Sequence, residues 1–362
     1  MTADIPGAAY GLPPAAREAA AELVRAGQVP GLIVAARRAG AEDSFAIGVD
    51  AQGRALTPDT FFPVASVTKL ATALTVLRLI DQGALGLDDE LAAHLPAAAA
   101  SQGGVTLRAL LCHTAGLPLD VPQRAAPYAE GLDWPQLGRA CMETPLEAAP
   151  WTRVQYSNVG YGLLALAAEH ATGQGFAAAL RSLVLGPLGV EGYLGAEPPR
   201  PPAALADVRG AQRGTPLEPF NSRFWRSLAL PWAGLVTTAA GVLALLSAFL
   251  GAPAGFLTPP LRAAAIADQT GGLGGGFIPP LAWSPCPWGL GPEVRGHKTP
   301  HWVPPEAGPA SFGHSGASGS LAWADPASGL AWVILGARTA DNGWLLRRSG
   351  SISATILAAR SS

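Results

Sequence analysis

The order of apolar patterns along the chain predicts an α+β fold. An antiparallel sheet is built from both chain termini and flanked by helices, and a mostly helical lobe lies between its two halves. Three observations carry this. Two strand-like runs stand near the N-terminus, at 31–38 and 44–49. The long middle repeats its apolar residues at helical spacing. Strand-like runs return only after Trp288, at 289–294, 311–315, 320–323 and 331–337, and a helical stretch at 344–359 closes the chain. On this reading residues 1–75 and 230–362 make the sheet lobe and residues 76–229 the helical lobe. The active site of this one catalytic unit is expected between them.

Each element has a local reason. Residues 14–26 are a short amphipathic helix. The run GLIVAARR at 31–38 is a strand buried on both faces, with 44–49 as its hairpin partner. Residues 57–63 lead to Ser66, and 70–80 repeat apolar residues at helical period. Asp88 and Asp89 give the helical piece 88–95 an acidic start. Thr106 caps a helix over 107–112, which Gly116 and Pro118 then close with a turn. Residues 119–155 alternate loop and helix, with Trp134 and Trp151 as packing anchors. Helices follow at 160–172 and 176–183. Residues 196–220 are Pro-rich and read as an exposed loop. A further helix spans 241–249; Gly251, Pro253 and Gly255 interrupt its apolar run before membrane-spanning length. The glycines of 271–287 mark a loop rather than a phosphate site, since no strand precedes them and no Gly-Lys-Ser/Thr ending follows.

Composition narrows the function. With 49% hydrophobic and 14% charged residues in 362, the chain resembles a folded enzyme rather than a disordered segment. A net charge of -2 and the lack of a basic stripe argue against nucleic acid as a partner. Cys112, Cys141 and Cys286 are too few and too far apart for a disulfide framework or zinc cluster, and read as buried free thiols. Cys112 and His113 are adjacent, so their side chains do not face each other as nucleophile and base. His94 and His113 read as structural, and Arg347-Arg348 as a solvated helix face. Trp232 and Trp288 are the candidates for a pocket wall. Residues 1–12 show neither a basic nor an apolar segment of a secretory signal, so a cytoplasmic location is expected.

Three short motifs carry chemistry. In Ser66-Val67-Thr68-Lys69 a hydroxyl and an amine stand three residues apart at a helix start, where positions i and i+3 share a face. Only Lys69 and Lys298 are lysines, and every other basic side chain of the Lys+Arg set is arginine. Arginine cannot give up its proton, so a lysine at 69 reads as chosen for proton transfer. Tyr156-Ser157-Asn158 sets a phenol and an amide two residues apart. A phenolate can serve as base if nearby cations lower its pKa. His314-Ser315-Gly316 sits at a strand edge, where glycine lets a ligand approach the backbone. Taken singly, the second is as simply a buried tyrosine before a capping asparagine, and the third a bulge with turn glycines.

Taken together and in this order, the three motifs resemble the penicillin-recognising serine hydrolases. The resemblance spans most of the chain: residues 107–118 (LRALLCHTAGLP), 187–189 (PLG), 234–238 (GLVTT) and 289–291 (GLG) are similar to that family's supporting segments. The class C β-lactamases and family VIII carboxylesterases are the branch it resembles. The resemblance implies a β-lactamase/transpeptidase-like fold. It implies Ser66 as nucleophile of an acyl-enzyme, with Lys69 and Tyr156 sharing the base work. It assigns Asn158, His314, Ser315, Gly316 and Ala317 to substrate binding, with the backbone N–H groups of Ser66 and Ala317 as oxyanion donors. It implies no metal or organic cofactor.

One departure separates substrates. That family's β-lactamases and carboxypeptidases carry Lys-Thr-Gly where this chain has His314-Ser315-Gly316. A histidine, with an ordinary pKa of about 6.5, is mostly neutral at pH 7 and holds a substrate carboxylate poorly. Lys298-Thr299-Pro300 mimics the missing motif, but its proline cannot join a strand ladder, so it reads as loop. A carboxylesterase acting on small neutral acyl esters is therefore expected. A β-lactamase or D-amino-acid peptidase or amidase, and an inactive binding homologue, are the alternatives.

Overall fold

The computed structural model describes residues 10–277 and 281–359. Residues 1–9 of the stretch read as lacking a secretory signal, residues 278–280 of the 271–287 loop, and residues 360–362 lie outside the described residues.

The sheet has six strands, and both chain ends supply it. β1 (Gly31–Arg38) and β2 (Ala41–Gly48) come from the N-terminal part, and β3 (Glu293–Val294), β4 (Phe312–Gly316), β5 (Ser320–Asp325) and β6 (Leu330–Gly336) from the C-terminal part. Their order is β2-β1-β6-β5-β4-β3, with every neighbouring pair antiparallel. The sheet is closed across the chain by β1 on β6, with Val34 opposite Ile334.

Side-chain alternation assigns the two faces. Leu32, Val34, Trp323, Trp332 and Ile334 point into one core, covered by α1 (Pro14–Arg25) and the C-terminal helix α5 (Gly350–Ala358). Ile33, Ala35, Ala322, Val333 and Leu335 point into the other. That second core continues through α2 (Thr68–Asp81) and α4 (Ala239–Leu250) into α3 (Asn158–Thr172) and the helices of the middle of the chain. A strand covered on both faces reads as a continuous apolar run, which is why β1 and β6 lack alternation in sequence. Among the described residues no helix is long and apolar enough to cross a membrane.

Several elements differ from expectation. The hairpin partner begins at Ala41 rather than residue 44, because Ala39 (φ 50°) and Gly40 (φ 84°) make a two-residue turn and the polar Ala41–Asp43 stretch already pairs at the sheet edge. The strand expected at 289–294 shrinks to Glu293–Val294: the N–H groups of Gly289 and Leu290 bond to the Pro292 and Ala265 carbonyls instead of a strand. The final helix is interrupted at Ser349, between Trp344–Arg348 and Gly350–Ala358. Residues 196–220 are irregular but not simply exposed. Ala203, Ala204, Leu205 and Val208 are buried, and the backbone is tied to Phe61 and Ala337.

The 271–287 loop contains short pairings: Gly275–Gly276 lies between Val154–Gln155 and Ala282–Trp283. A Cβ on Gly275 (φ +147°) would lie 1.8 Å from the Val154 carbonyl oxygen, so the glycine is required by close backbone approach. Gly275→Ala is expected to lower stability by about 1–3 kcal/mol, read from urea unfolding. It should also displace Phe277, which follows two residues on.

Candidate active site

Ser66 sits on a strained turn. Short pairing of Phe62–Pro63 with Val236–Thr237 delivers the chain into a 3-10 turn, Ala65–Val67, from which α2 starts. Ala65 has φ 45°, unusual for a residue with a side chain and costing about 1 kcal/mol or more. The sheet edge holds that turn in place. Ser320 Oγ donates to the Val64 carbonyl at 2.8 Å. β4 passes so close that a Cβ on Gly316 would stand 2.5 Å from the same oxygen. Ser66 therefore faces a cavity of about 340 Å3 between the sheet edge and the helical part of the chain. A hollow of about 350 Å3 near Arg54 and Arg200 has no nucleophile with a base beside it.

Lys69, in the first turn of α2, is fully buried. Its Nζ lies 3.3 Å from Ser66 Oγ and donates to Asn158 Oδ1 at 2.7 Å and to the Trp232 carbonyl at 3.1 Å. Burial pushes its pKa well below the ordinary lysine value, against a smaller opposing pull from Asp120. A neutral amine has two N–H groups and one lone pair. Two acceptors occupy the N–H groups, which leaves the lone pair for the Ser66 hydroxyl.

Asn158 is not the cap of α3. Ser157 takes that place, its Oγ accepting from Gly160 N–H at 3.2 Å and donating to the Pro118 carbonyl at 2.6 Å. Asn158 is thereby free to face Lys69. Its Nδ2 donates to Asp120 Oδ1 at 2.7 Å, which sets the amide so that oxygen meets the amine. Nothing in the 119–155 stretch singles out Asp120 by sequence, since only the folded chain brings it against Asn158.

Tyr156 packs over Lys69, whose Nζ lies 4.6 Å from the ring centre. Its pKa is not drawn down by cations as the phenolate reading required. Burial raises it well above the ordinary value, and the nearby Ser66 hydroxyl offsets this only in part. Oη is buried and makes no hydrogen bond of good geometry, so the phenol stays protonated and uncommitted. His113 lies beneath the ring at 4.6 Å, and its Nδ1 accepts from Ser157 N–H at 3.1 Å. Burial, then the Lys69 charge, lower its pKa, so it supports the site as a neutral ring.

His314 does not meet the cavity as expected. It is fully buried among Tyr156, Trp288 and Phe277, because alternation along β4 turns its side chain to the face opposite Ser315, which lines the cavity. Its Nδ1–H donates to the Ser315 carbonyl at 2.6 Å, and Nε2 has no partner. Burial, followed by Lys69, lowers its pKa to about 3, so it brings no cation to the site. Lys298 lies in a loop, as its proline suggested, but packs close behind the site. Its buried Nζ donates to Glu293 Oε1 and the Pro287 carbonyl, both at 2.8 Å, and lies 5.1 Å from the Trp288 ring. Trp288 separates it from Tyr156.

Neither tryptophan named for the pocket wall lines it: Trp232 contributes its carbonyl to Lys69, and Trp288 is buried behind Tyr156. The apolar wall is Leu119, Phe277, Leu281, Trp302 and Leu345, while Tyr156, Asn158, Ser315, Gly316 and Ala317 surround Ser66. The three cysteines are buried and free, and burial pushes Cys112 up to about 11. Among the described residues no group of three or more His, Cys, Asp or Glu could hold a metal ion. The arrangement can take a proton from Ser66 and expose the resulting alkoxide to a carbonyl carbon in the cavity.

Comparison with known proteins bears on the family and the fold. A profile of the Beta-lactamase family matches residues 16–346. Esterase EstB of Burkholderia gladioli is 32% identical over 325 residues, covering 78% of this chain and 79% of that protein. A beta-lactamase from Mycobacterium bovis superposes with a TM-score of 0.67 at 27% identity, covering 95% of this chain and 100% of that one. A penicillin-binding protein homologue from Caulobacter crescentus has the same fold, with a TM-score of 0.74 at 24% identity, covering 99% of this chain and 100% of that one.

Proposed function

The chain belongs to the beta-lactamase family of serine hydrolases, and from that premise we propose that it is a carboxylesterase that forms an acyl-enzyme on Ser66. The observation that carries the reading is Lys69 Nζ standing 3.3 Å from Ser66 Oγ, with Asn158 Oδ1 and the Trp232 carbonyl as its other two partners. Lys69 takes the Ser66 proton as Oγ adds to the ester carbonyl. The backbone N–H groups of Ser66 and Ala317 receive the oxyanion. Lys69 then returns the proton to the departing alkoxide. In the second half, water adds to the acyl-enzyme, and its proton passes through Tyr156 Oη and Lys69 back to Ser66. The protonated phenol acts as a relay.

The ester preference rests on charge. His314 is neutral and turned away from the cavity, and among the described residues no lysine or arginine lines it, so a substrate carboxylate has no partner there. Similarity to an esterase supports the same choice.

Ser66→Ala is expected to lower kcat/KM for p-nitrophenyl butyrate by about a thousandfold or more, with the circular-dichroism spectrum unchanged. A fluorophosphonate probe should label the wild-type protein on Ser66, located by mass spectrometry. Wild-type turnover in Ser66→Ala would dismiss the reading, and nitrocefin hydrolysis more efficient than ester hydrolysis would make the protein a β-lactamase instead.

A further inference from the structure

We infer that the cavity selects its ester by charge and takes acyl groups that carry a cationic ammonium. The inference rests on the ester reading above and adds the substrate class. Among the described residues, Asp341 is the sole charged side chain lining the cavity, and it stands in the wall with Leu345 and Trp302. It is exposed, in the turn Ala340–Asn342, and its hydrogen bond is from Thr339 Oγ1 at 3.4 Å. Of the arginines that flank it in sequence, Arg338 donates to the Gly27 and Gln28 carbonyls and Arg347 to the Asn342 carbonyl of the same turn, and neither lines the cavity. A second exposed carboxylate, Asp120, follows the lining residue Leu119 and holds Asn158.

No lysine, arginine or histidine is among the described residues that line the cavity, so Asp341 meets no cation there. An acyl chain whose carbonyl reaches Ser66 lies along the apolar wall and carries its far end towards this negative rim. An ammonium there gains an ion-pair partner, a neutral end gains none, and a carboxylate is repelled. The apolar wall suits the methylene stem and the N-methyl groups of a quaternary ammonium.

The test compares three p-nitrophenyl esters. They are the γ-trimethylammoniobutyrate ester, its carbon isostere with tert-butyl in place of trimethylammonium, and the hydrogen glutarate ester. At low ionic strength kcat/KM should favour the ammonium ester over its isostere by about fivefold or more, the scale of one partly screened ion pair. The glutarate ester should be the poorest. Added salt should shrink the ratio, and Asp341→Asn should bring it close to one. A ratio at or below one in the wild type, or a ratio unmoved by Asp341→Asn, overturns the inference. Calorimetric binding of the ammonium ester and its isostere to the Ser66→Ala protein reads the same preference with no turnover. Loss of turnover with the binding preference intact counts against the acyl-enzyme alone; equal binding of the two esters counts against the charge selection.

Discussion

Lys69→Met is expected to lower ester turnover by about a thousandfold or more, the upper part of the range for losing a general base. Methionine keeps the length of the stem and removes the amine. The proton of Ser66 then has no acceptor: His113 offers its Nδ1 to the Ser157 N–H, and Tyr156 is protonated. Activity of the wild type should fall as pH drops through the depressed Lys69 pKa, because an ammonium has no lone pair to receive the hydroxyl proton.

The same burial has a stability signature of defined sign. In the unfolded chain Lys69 titrates near its ordinary value of about 10.4. In the folded chain it titrates well below that. Between the two values the unfolded state binds more protons, so the folded state gains stability as pH rises across that window. The wild-type stability minus that of Lys69→Met should therefore increase with pH, by at most about 1.4 kcal/mol per unit. Denaturant unfolding at several pH values measures it. Parallel curves for the two proteins would mean that the amine is charged in the folded state, and the lone-pair mechanism would fail with it.

Lys298→Met is expected to destabilise the fold by about 3–5 kcal/mol, the range for removing one partner of a buried ion pair. Lys298 and Glu293 are both fully buried, with His301 Nε2 3.3 Å from the same Glu293 oxygen. Burial alone would raise the Glu293 pKa, but Lys298 and His301 hold it down to about 2. Without Lys298 the buried carboxylate keeps only His301 beside it, and must stay undercompensated or take up a proton. The double variant Glu293→Gln, Lys298→Met should recover much of the loss, because it removes the stranded charge.

Acid unfolding offers a second reading. The unfolded glutamate titrates near about 4.3, above its folded value. Glu293 therefore contributes stability that is complete above the unfolded pKa and is lost as pH falls towards about 2. Glu293 faces Gly313 across the pairing of β3 and β4, next to His314, so loosening the pair should also lower ester turnover. A Lys298→Met protein with wild-type urea midpoint would rule out a structural role for the pair.

Legibility varied from element to element. The pairing of chain ends into one antiparallel sheet could be read from where the strand-like runs fall, since β1 and β6 must be covered on both faces to justify so many consecutive apolar residues. The break of the final helix at Ser349 and the shrinking of the 289–294 strand could not. They follow from what the neighbouring chain offers to their backbone groups. The 196–220 segment was misjudged because proline marks irregular backbone and says nothing of depth. Ala203–Leu205 is irregular and buried at once, with N–H groups satisfied by distant partners.

The amino-acid sequence by itself determined the Ser66–Lys69 pair. Three residues of helical backbone place an amine beside a hydroxyl wherever the chain goes, so the geometry is local. It also supplied the residue type that proton transfer would need, since a lysine can give up its proton and an arginine cannot. Tertiary structure alone decided what surrounds the pair. Asp120 orients Asn158, the phenol of Tyr156 is raised rather than lowered, and His314 turns inward while Asp341 turns to the cavity. These depend on which groups separated by tens or hundreds of residues share one water-poor space. Burial and long-range charge, unlike helical spacing, are properties of the packed chain.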